Sequence, residues 1–435
     1  MMNDSIDDLP ELLLVEIICR LSCNKFVFQC KCVSKRWCEL ISSSHFVGQY
    51  VRRQRDLKKP ILGTLVVDNG TFFHVENEDG LMSLQLPVIS EAAAEQKLFV
   101  VGACNDLVLC CPSKLDHREY YICNPYTKKW VALPPPPRIH NYVSIGLICD
   151  PYCNYNSSSS FDDDVCINAE YRWRVVRLRP EFYVDIFFSE TGEWRESANV
   201  VCGSRKYFDI VTAGVACNGK LYFAGTDCVT SSYVLELDPF QGVACNGKLY
   251  FAGTDCVTSS YVLELDPFQG ISNISTDGDH IIVDKCRFSL APLDMSSDLR
   301  IHGMSMYLVL GACRGHLRVS EFVIGNHLSV WELDAGDDNL KWRLVVDQVP
   351  FSQMDSSNSE DPFMPVDEWG KTAIGFHPNI EAIYVDAGDG KMIRCNFGAR
   401  MLELVPEIRS GRSNWHLFYI HPFVLPWWPT PVPSL

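Results

Sequence analysis

The chain reads as two unlike parts: a small helical unit at the N-terminus, then a long, mainly β body. Three observations carry this. Apolar residues between Leu9 and Phe46 recur three and four positions apart, the spacing of one helix face. From Ile61 onward the period becomes two, in short runs separated by Asp, Asn, Gly and Pro. Aromatic residues make up 11% of 435, which suits strands and a filled β core.

Pro10 fits a first helical turn, where its missing N–H would have no partner, and Asp7, Asp8 and Glu11 suit the positive end of a helix dipole. Leu13, Leu14, Ile17, Ile18 and Leu21 follow at helical steps, and Ser22-Cys23-Asn24 breaks them. Phe26, Val27, Cys30 and Val33 suggest a second short helix. Ser34 caps a third, with Trp37, Leu40 and Ile41 on one side and Lys35, Arg36 and Glu39 on the other. Phe46, Val47, Tyr50 and Val51 continue to a basic stretch, Arg52-Arg53-Gln54-Arg55. A unit this small buries little apolar surface by itself. Its apolar faces pack on the β body or on a partner, and periodicity does not choose between them. The resulting division is a helical domain at 1–50, a basic linker at 51–60, a β body at 61–425 and a proline-rich tail at 426–435.

In the body, ILGTLVV, LFVVGACNDLVLCC and YYICNPYTKKWVAL read as strands before Pro134–Pro137, a run that cannot lie in a central strand. Residues 151–164 and 353–361 are polar and acidic and read as exposed loops. Between and beyond them lie YRWRVVRL, FYVDIFF, HLRVSEFVI, LSVWELD, KWRLVVD, AIYVD and WHLFYIHPF. A strand, a polar turn and a Trp recur at Trp130, Trp194 and Trp342, and Asn218-Gly219-Lys220-Leu221-Tyr222 marks a second recurring element. Repeated four-stranded units predict a β-propeller, with a pair of β-sandwiches as the alternative.

Gly214–Gln241 recurs without a change as Gly242–Gln269, turn residues included. Ordinary blade similarity stops at core and turn positions, so this is a separate event: a recent duplication or a gene-model error, with a functional repeat as the alternative. Each copy holds two strands, about half a blade. Either one copy takes the native slot and the other bulges out poorly packed, or blade pairing shifts.

The formal charge of −16 argues against a sequence-independent nucleic-acid binder. The acidic start lacks a basic region followed by an apolar one, and no apolar run is long enough to span a bilayer, so no membrane partner is expected. The twenty cysteines are scattered, most of them within apolar runs, as small hydrophobes in a reducing compartment, cytoplasm or nucleus, with paired disulfides as the alternative. Phosphate-loop, dinucleotide, zinc-protease and nucleophile-elbow motifs are absent. Cys149 and Cys153, near His140, make half a zinc set without a second pair at the usual spacing. No cofactor, metal or catalytic residue is expected.

Leu9-Pro10, Leu13, Ile17-Ile18, Arg20-Leu21, Cys32-Val33-Ser34-Lys35, Trp37, Leu40-Ile41 and Phe46 together resemble the F-box motif, with Ser22 where that motif usually has proline. The resemblance implies docking on the Skp adaptor of a Skp–cullin–F-box ubiquitin ligase. It points to Leu9, Pro10, Leu13, Ile17, Leu21, Val33 and Trp37 as the contact residues, an aromatic anchor among aliphatic neighbours. The body resembles the kelch-like blades of plant F-box-associated domains, with Ala224-Gly225 where a regular kelch blade has a Gly pair. The implied role is substrate recognition for ubiquitylation: a non-catalytic subunit that binds the adaptor, cullin through it, and an unnamed protein substrate. The alternative is a propeller interaction module working outside ubiquitin ligases.

Overall fold

The structure is a computed structural model. It describes residues 6, 9–21, 24–57, 62–67, 75–77, 80–82, 84–87, 98–113, 117–140, 143–150, 171–179, 183–197, 208–210, 214–217, 220–236, 243–245, 248–265, 271–273, 280–283, 286–290, 309–323, 327–334, 341–350, 355–356, 372–386, 392–405 and 420–432. The two polar loops expected at 151–164 and 353–361 lie outside the described residues, apart from the short strand Asp355–Ser356.

Four helices open the chain: α1 (Glu11–Cys19), α2 (Asn24–Cys30), α3 (Lys35–Ser42) and α4 (Ser44–Asp56). Pro10 stands at the N-cap of α1. The Ser34 hydroxyl accepts the Trp37 N–H at 3.3 Å, and the Ser43 hydroxyl accepts the Phe46 N–H at 3.2 Å, so each serine satisfies an amide that its helix leaves without a partner. The basic stretch is not a linker. α4 runs through Arg52–Arg55 to Asp56, so the boundary drawn at residue 50 falls inside a helix. Tyr50 and Gln54, four apart, are buried on one face, and Arg53 and Arg55 lie at the negative end of the helix dipole. Leu14, Val15, Ile18, Val27, Trp37, Ile41, Phe46 and Tyr50 form the core of the unit.

The β body is a β-propeller. Among the described residues, its inner strands follow one another round a closed ring of six: Phe99–Cys104, Ser144–Asp150, Val215–Cys217, Val309–Cys313, Thr372–Phe376 and Ile420–Leu425, which returns to the first. The first blade is a simple antiparallel meander of Phe99–Cys104, Leu107–Cys111, Tyr121–Asn124 and Lys129–Ala132. The ring is closed by the two ends of the body. Leu62–Val67 pairs antiparallel with Ile420–Leu425, from Leu62 opposite Leu425 to Val67 opposite Ile420. This pairing ties the first strand of the body to the last strand of the ring, so the two ends of the body hold the ring shut.

Inner strands approach closely where they carry glycine. A Cβ on Gly146 would stand 2.9 Å from Leu221 Cδ2 and 3.2 Å from the Gly214 backbone, and one on Gly311 would stand 2.8 Å from the Phe376 ring. The largest core cluster lies between the first and second blades, around Leu107, Leu109, Leu147, Val175, Ile186 and Phe187. Trp194, one of the recurring tryptophans, donates its indole N–H to the Pro134 carbonyl at 2.8 Å and so ties the second blade to the proline run.

Both copies of the duplicated segment enter one sheet, and the blade is a composite of the two. The first copy supplies Val215–Cys217 and the start of Lys220–Glu236. The third strand is the end of Lys248–Leu265, from the second copy, and Cys286–Leu290 is the fourth. Neither copy takes the slot alone, because the third strand of either one fits the second strand of the other equally well. In the first copy Val215, Ala216, Cys217, Leu221 and Tyr222 are buried, while the side chains of the second copy, on which the expectation of poor packing turns, lie outside the described residues.

Candidate functional site

α1 is apolar on more than one face, and the core takes only part of it. Leu14, Val15, Ile18 and Cys19 are buried. On the other side Leu13 is 51% exposed and Ile17 44%, with Pro10 exposed three positions before Leu13, and Leu12 beside them is also exposed. Pro10, Leu13 and Ile17 stand three and four apart, so they form one row along the helix.

Neighbouring elements hold this row in place. The Arg36 guanidinium donates to the Leu9 carbonyl at 2.8 Å, which brings the entry of α1 beside the α2–α3 turn that carries Val33. Val33 and Phe26 are exposed. Glu16 pairs with Arg20 at 2.7 Å and with Arg53 at 3.4 Å, tying the polar flank of α1 to α4. The Arg20 guanidinium, with help from Arg53, holds the Glu16 carboxyl below the usual carboxylate range.

Of the residues expected at a partner contact, the structure brings Pro10, Leu13, Ile17 and Val33 to the surface. Leu9 and Leu21 are half-buried against the helical core, and Trp37 is buried in it, 6% exposed. Trp37 therefore holds α3 on the core instead of standing out as an anchor. Leu12 and Phe26 are exposed as well. Their signal was present in the run of three leucines and in the aromatic opening of α2, but periodicity alone does not rank the faces of a helix that is apolar on two sides.

The helical unit is also joined to the propeller. Trp428, from the proline-rich tail, packs against Phe28, Phe46 and Tyr50, with ring centroids 5.0, 6.1 and 5.8 Å away. The Lys31 ammonium lies 5.4 Å from the same indole. Two residues on, the Thr430 N–H donates to the buried Asp106 carboxylate at 3.0 Å, and Asn124 donates to that carboxylate at 2.8 Å. The tail thus reaches the first blade and the helices at once.

Among the described residues no group of His, Cys, Asp and Glu is arranged to hold a metal ion, and no helix is long and apolar enough to cross a membrane. Cys149 is buried beside Cys104, with sulfurs 3.5 Å apart, while Cys153 lies outside the described residues. Burial pushes the thiols of Cys313 and Cys217 up to about 11 and about 12, which keeps them protonated and unreactive.

Comparison with known proteins agrees with both parts. Residues 6–47 match the F-box domain, and residues 72–246 match the family described as F-box protein At3g26010-like, beta-propeller. Three relatives from Arabidopsis thaliana are similar. F-box protein At5g49610 is 26% identical, over 44% of this chain and 51% of its own. A putative F-box/kelch-repeat protein, At1g15680, is 28% identical, over 43% and 45%. F-box/LRR-repeat protein At2g43260 is 25% identical, over 54% of each. The chain spans about half the length of the curated relatives it matches.

Proposed function

We propose that this chain, an N-terminal F-box followed by a β-propeller, is the substrate-recognition subunit of a Skp–cullin–F-box ubiquitin ligase. The observation that carries this reading is the exposed row Pro10, Leu13 and Ile17 on a helix whose opposite face is already packed. Burying an aliphatic side chain of this size fully is worth about 1.5–3 kcal/mol, so a partner covering the row gains several such contributions. With Trp37 committed to the core, the contact is led by aliphatic residues: Leu13, Ile17 and Val33, with Leu9, Pro10 and Leu21 at its border.

The propeller would hold the target on loops at one end of the ring. Its contribution to the reaction is proximity. Held beside the conjugating enzyme, target lysines react as if at high local concentration, and this chain supplies no acid, base or nucleophile. Such a ligase subunit works in the cytoplasm or nucleus, on protein partners and not on nucleic acid or membranes.

The test is co-purification of the full chain with a Skp-type adaptor and cullin, against Leu13→Asp with Ile17→Asp. Both positions are exposed, so the double variant folds, and it is expected to lose the adaptor. A folded wild-type chain that captures no adaptor would overturn the proposal and favour a propeller module acting outside ubiquitin ligases.

A further inference from the structure

The composite blade has a by-product. Val229 lies opposite Val257, the same residue in the two copies, and the pairing runs symmetrically outward from Leu221 opposite Leu265 to Glu236 opposite Tyr250. A local two-fold therefore relates the two halves of this long ribbon. At the ring end, Val215 pairs with Tyr222, and Tyr222 with Glu264. At the far end the same residues of the other copies repeat the pattern: Val243 pairs with Tyr250, and Tyr250 with Glu236. The far end is thus a second three-stranded unit, identical in sequence and register to the inner three strands of the blade.

The two units differ at their outer edges: in the ring Phe208–Ile210 also pairs with Gly225–Asp227, a pairing that has no twin at the far end among the described residues. In the ring, Tyr261–Leu265 is completed by Cys286–Leu290, from Tyr261 opposite Leu290 to Leu265 opposite Cys286. The twin of that edge, Tyr233–Glu236, has no strand on its outer side among the described residues. The chain's own Cys286–Leu290 is out of reach. It follows closely on His280–Val283, which is pinned to the second blade by pairing with Glu196 and Ser197. The open edge lies about twelve residues further along the ribbon, on the order of 40 Å away. From Thr230 to Glu236 this edge carries no proline and no lysine, the usual guards against strand addition.

We propose that Tyr233–Glu236 is a self-association edge, where two copies of this chain pair antiparallel about a two-fold axis and join their spare units into one continuous sheet. This sequence already accepts a strand at the equivalent edge within the ring. Centring the contact between Val234 and Leu235 sets Tyr233 opposite Glu236 and leaves no like charges facing. The pairing is isologous, so it closes at a dimer. It does not depend on the ubiquitin-ligase reading.

Sedimentation equilibrium on the full chain tests it, beside two variants. One lacks residues 242–269, which leaves a single copy able to form the blade by itself. The other carries Val234→Lys with Leu235→Lys, which places lysines directly opposite each other across the proposed contact. A concentration-dependent dimer is expected for the full chain, a monomer for the deletion, and dimerisation weakened roughly tenfold or more by the lysines. Amide exchange at Tyr233–Glu236 should slow as the chain is concentrated. A full chain that stays monomeric throughout, or a dimer that survives the deletion, would overturn the proposal.

Discussion

The indole of Trp428 meets the ring of Tyr50 edge-on, with centroids 5.8 Å apart. The two residues belong to opposite ends of the chain, and their contact joins α4 to the tail that leaves the last propeller strand. Trp428→Ala removes it together with the contacts to Phe28, Phe46 and Lys31. The expected cost is about 2–3 kcal/mol, concentrated on the helices. Limited proteolysis should cut after α4 sooner in the variant, and helical signal should melt ahead of the β signal. Melting that remains a single step at the wild-type position would show that the tail contributes nothing to the junction.

A second prediction concerns charge inside the second blade. Arg177 and Asp185 are both 0% exposed, and their ion pair measures 2.7 Å. Arg177 also donates to the Tyr120 hydroxyl at 3.0 Å, and Arg179 pairs with Asp185 at 3.0 Å. Asp185→Ala leaves the buried Arg177 guanidinium without a carboxylate, while Arg179 keeps Glu196, and should cost about 3–5 kcal/mol in urea unfolding. Asp185→Asn, which keeps an acceptor, should lose less.

Acid sensitivity has two opposing sources. Burial pushes His421 down from 6.5 to about 4, and His377 likewise. The unfolded chain takes up those protons near 6.5 and the folded chain refuses them, so this contribution is complete above 6.5 and is lost as pH falls toward 4. For His421 the loss is at most about 3 kcal/mol. Burial pushes Asp106 up from 3.8 to about 6, so there the folded chain takes the proton first, and stability is gained as pH falls from 6 to 3.8. His421→Leu should flatten the decline of the urea midpoint between pH 7.5 and 4.5, and Asp106→Asn should steepen it. Parallel curves for all three proteins would contradict both assignments.

Glycines in the inner strands give a paired test. Gly146→Ala forces a methyl to within 2.9 Å of Leu221, whereas Gly102→Ala meets its nearest atom, the Leu147 amide nitrogen, at an ordinary 3.4 Å. The first should cost about 1–3 kcal/mol and the second little or nothing. Equal thermal shifts would mean that inner-strand spacing is not set at Gly146.

Much of this architecture was legible in the sequence. The change of period at Ile61 separated helices from strands, and serine caps were readable at Ser34. A stronger blade signal was available than the recurring tryptophans: Ala103-Cys104-Asn105-Asp106 and Ala312-Cys313-Arg314-Gly315 each turn an inner strand into the second strand of its blade, and Ala216-Cys217 ends the inner strand of another. Asn105, Arg314 and Gly315 have positive φ, as a two-residue hairpin requires. Three features were not legible. The buried face of α1 could not be told from its exposed face, because both are apolar. Trp428 sits in a proline-rich tail with no period, so nothing local marks it as core. The composite blade depends on a choice between identical strands, and sequence carries no information about such a choice.

The seam between Leu62–Val67 and Ile420–Leu425 also sets an order of events during synthesis. The helices are made long before Trp428, which packs against their aromatic cluster. The strand that opens the body likewise waits for one translated some 350 residues later, at least about 20 s at ordinary elongation rates. Throughout that interval the nascent chain carries both an uncovered helical core and an open strand edge. A shielding factor present during translation would therefore meet its need at two places, and truncation anywhere before Ile420 would leave both unfinished.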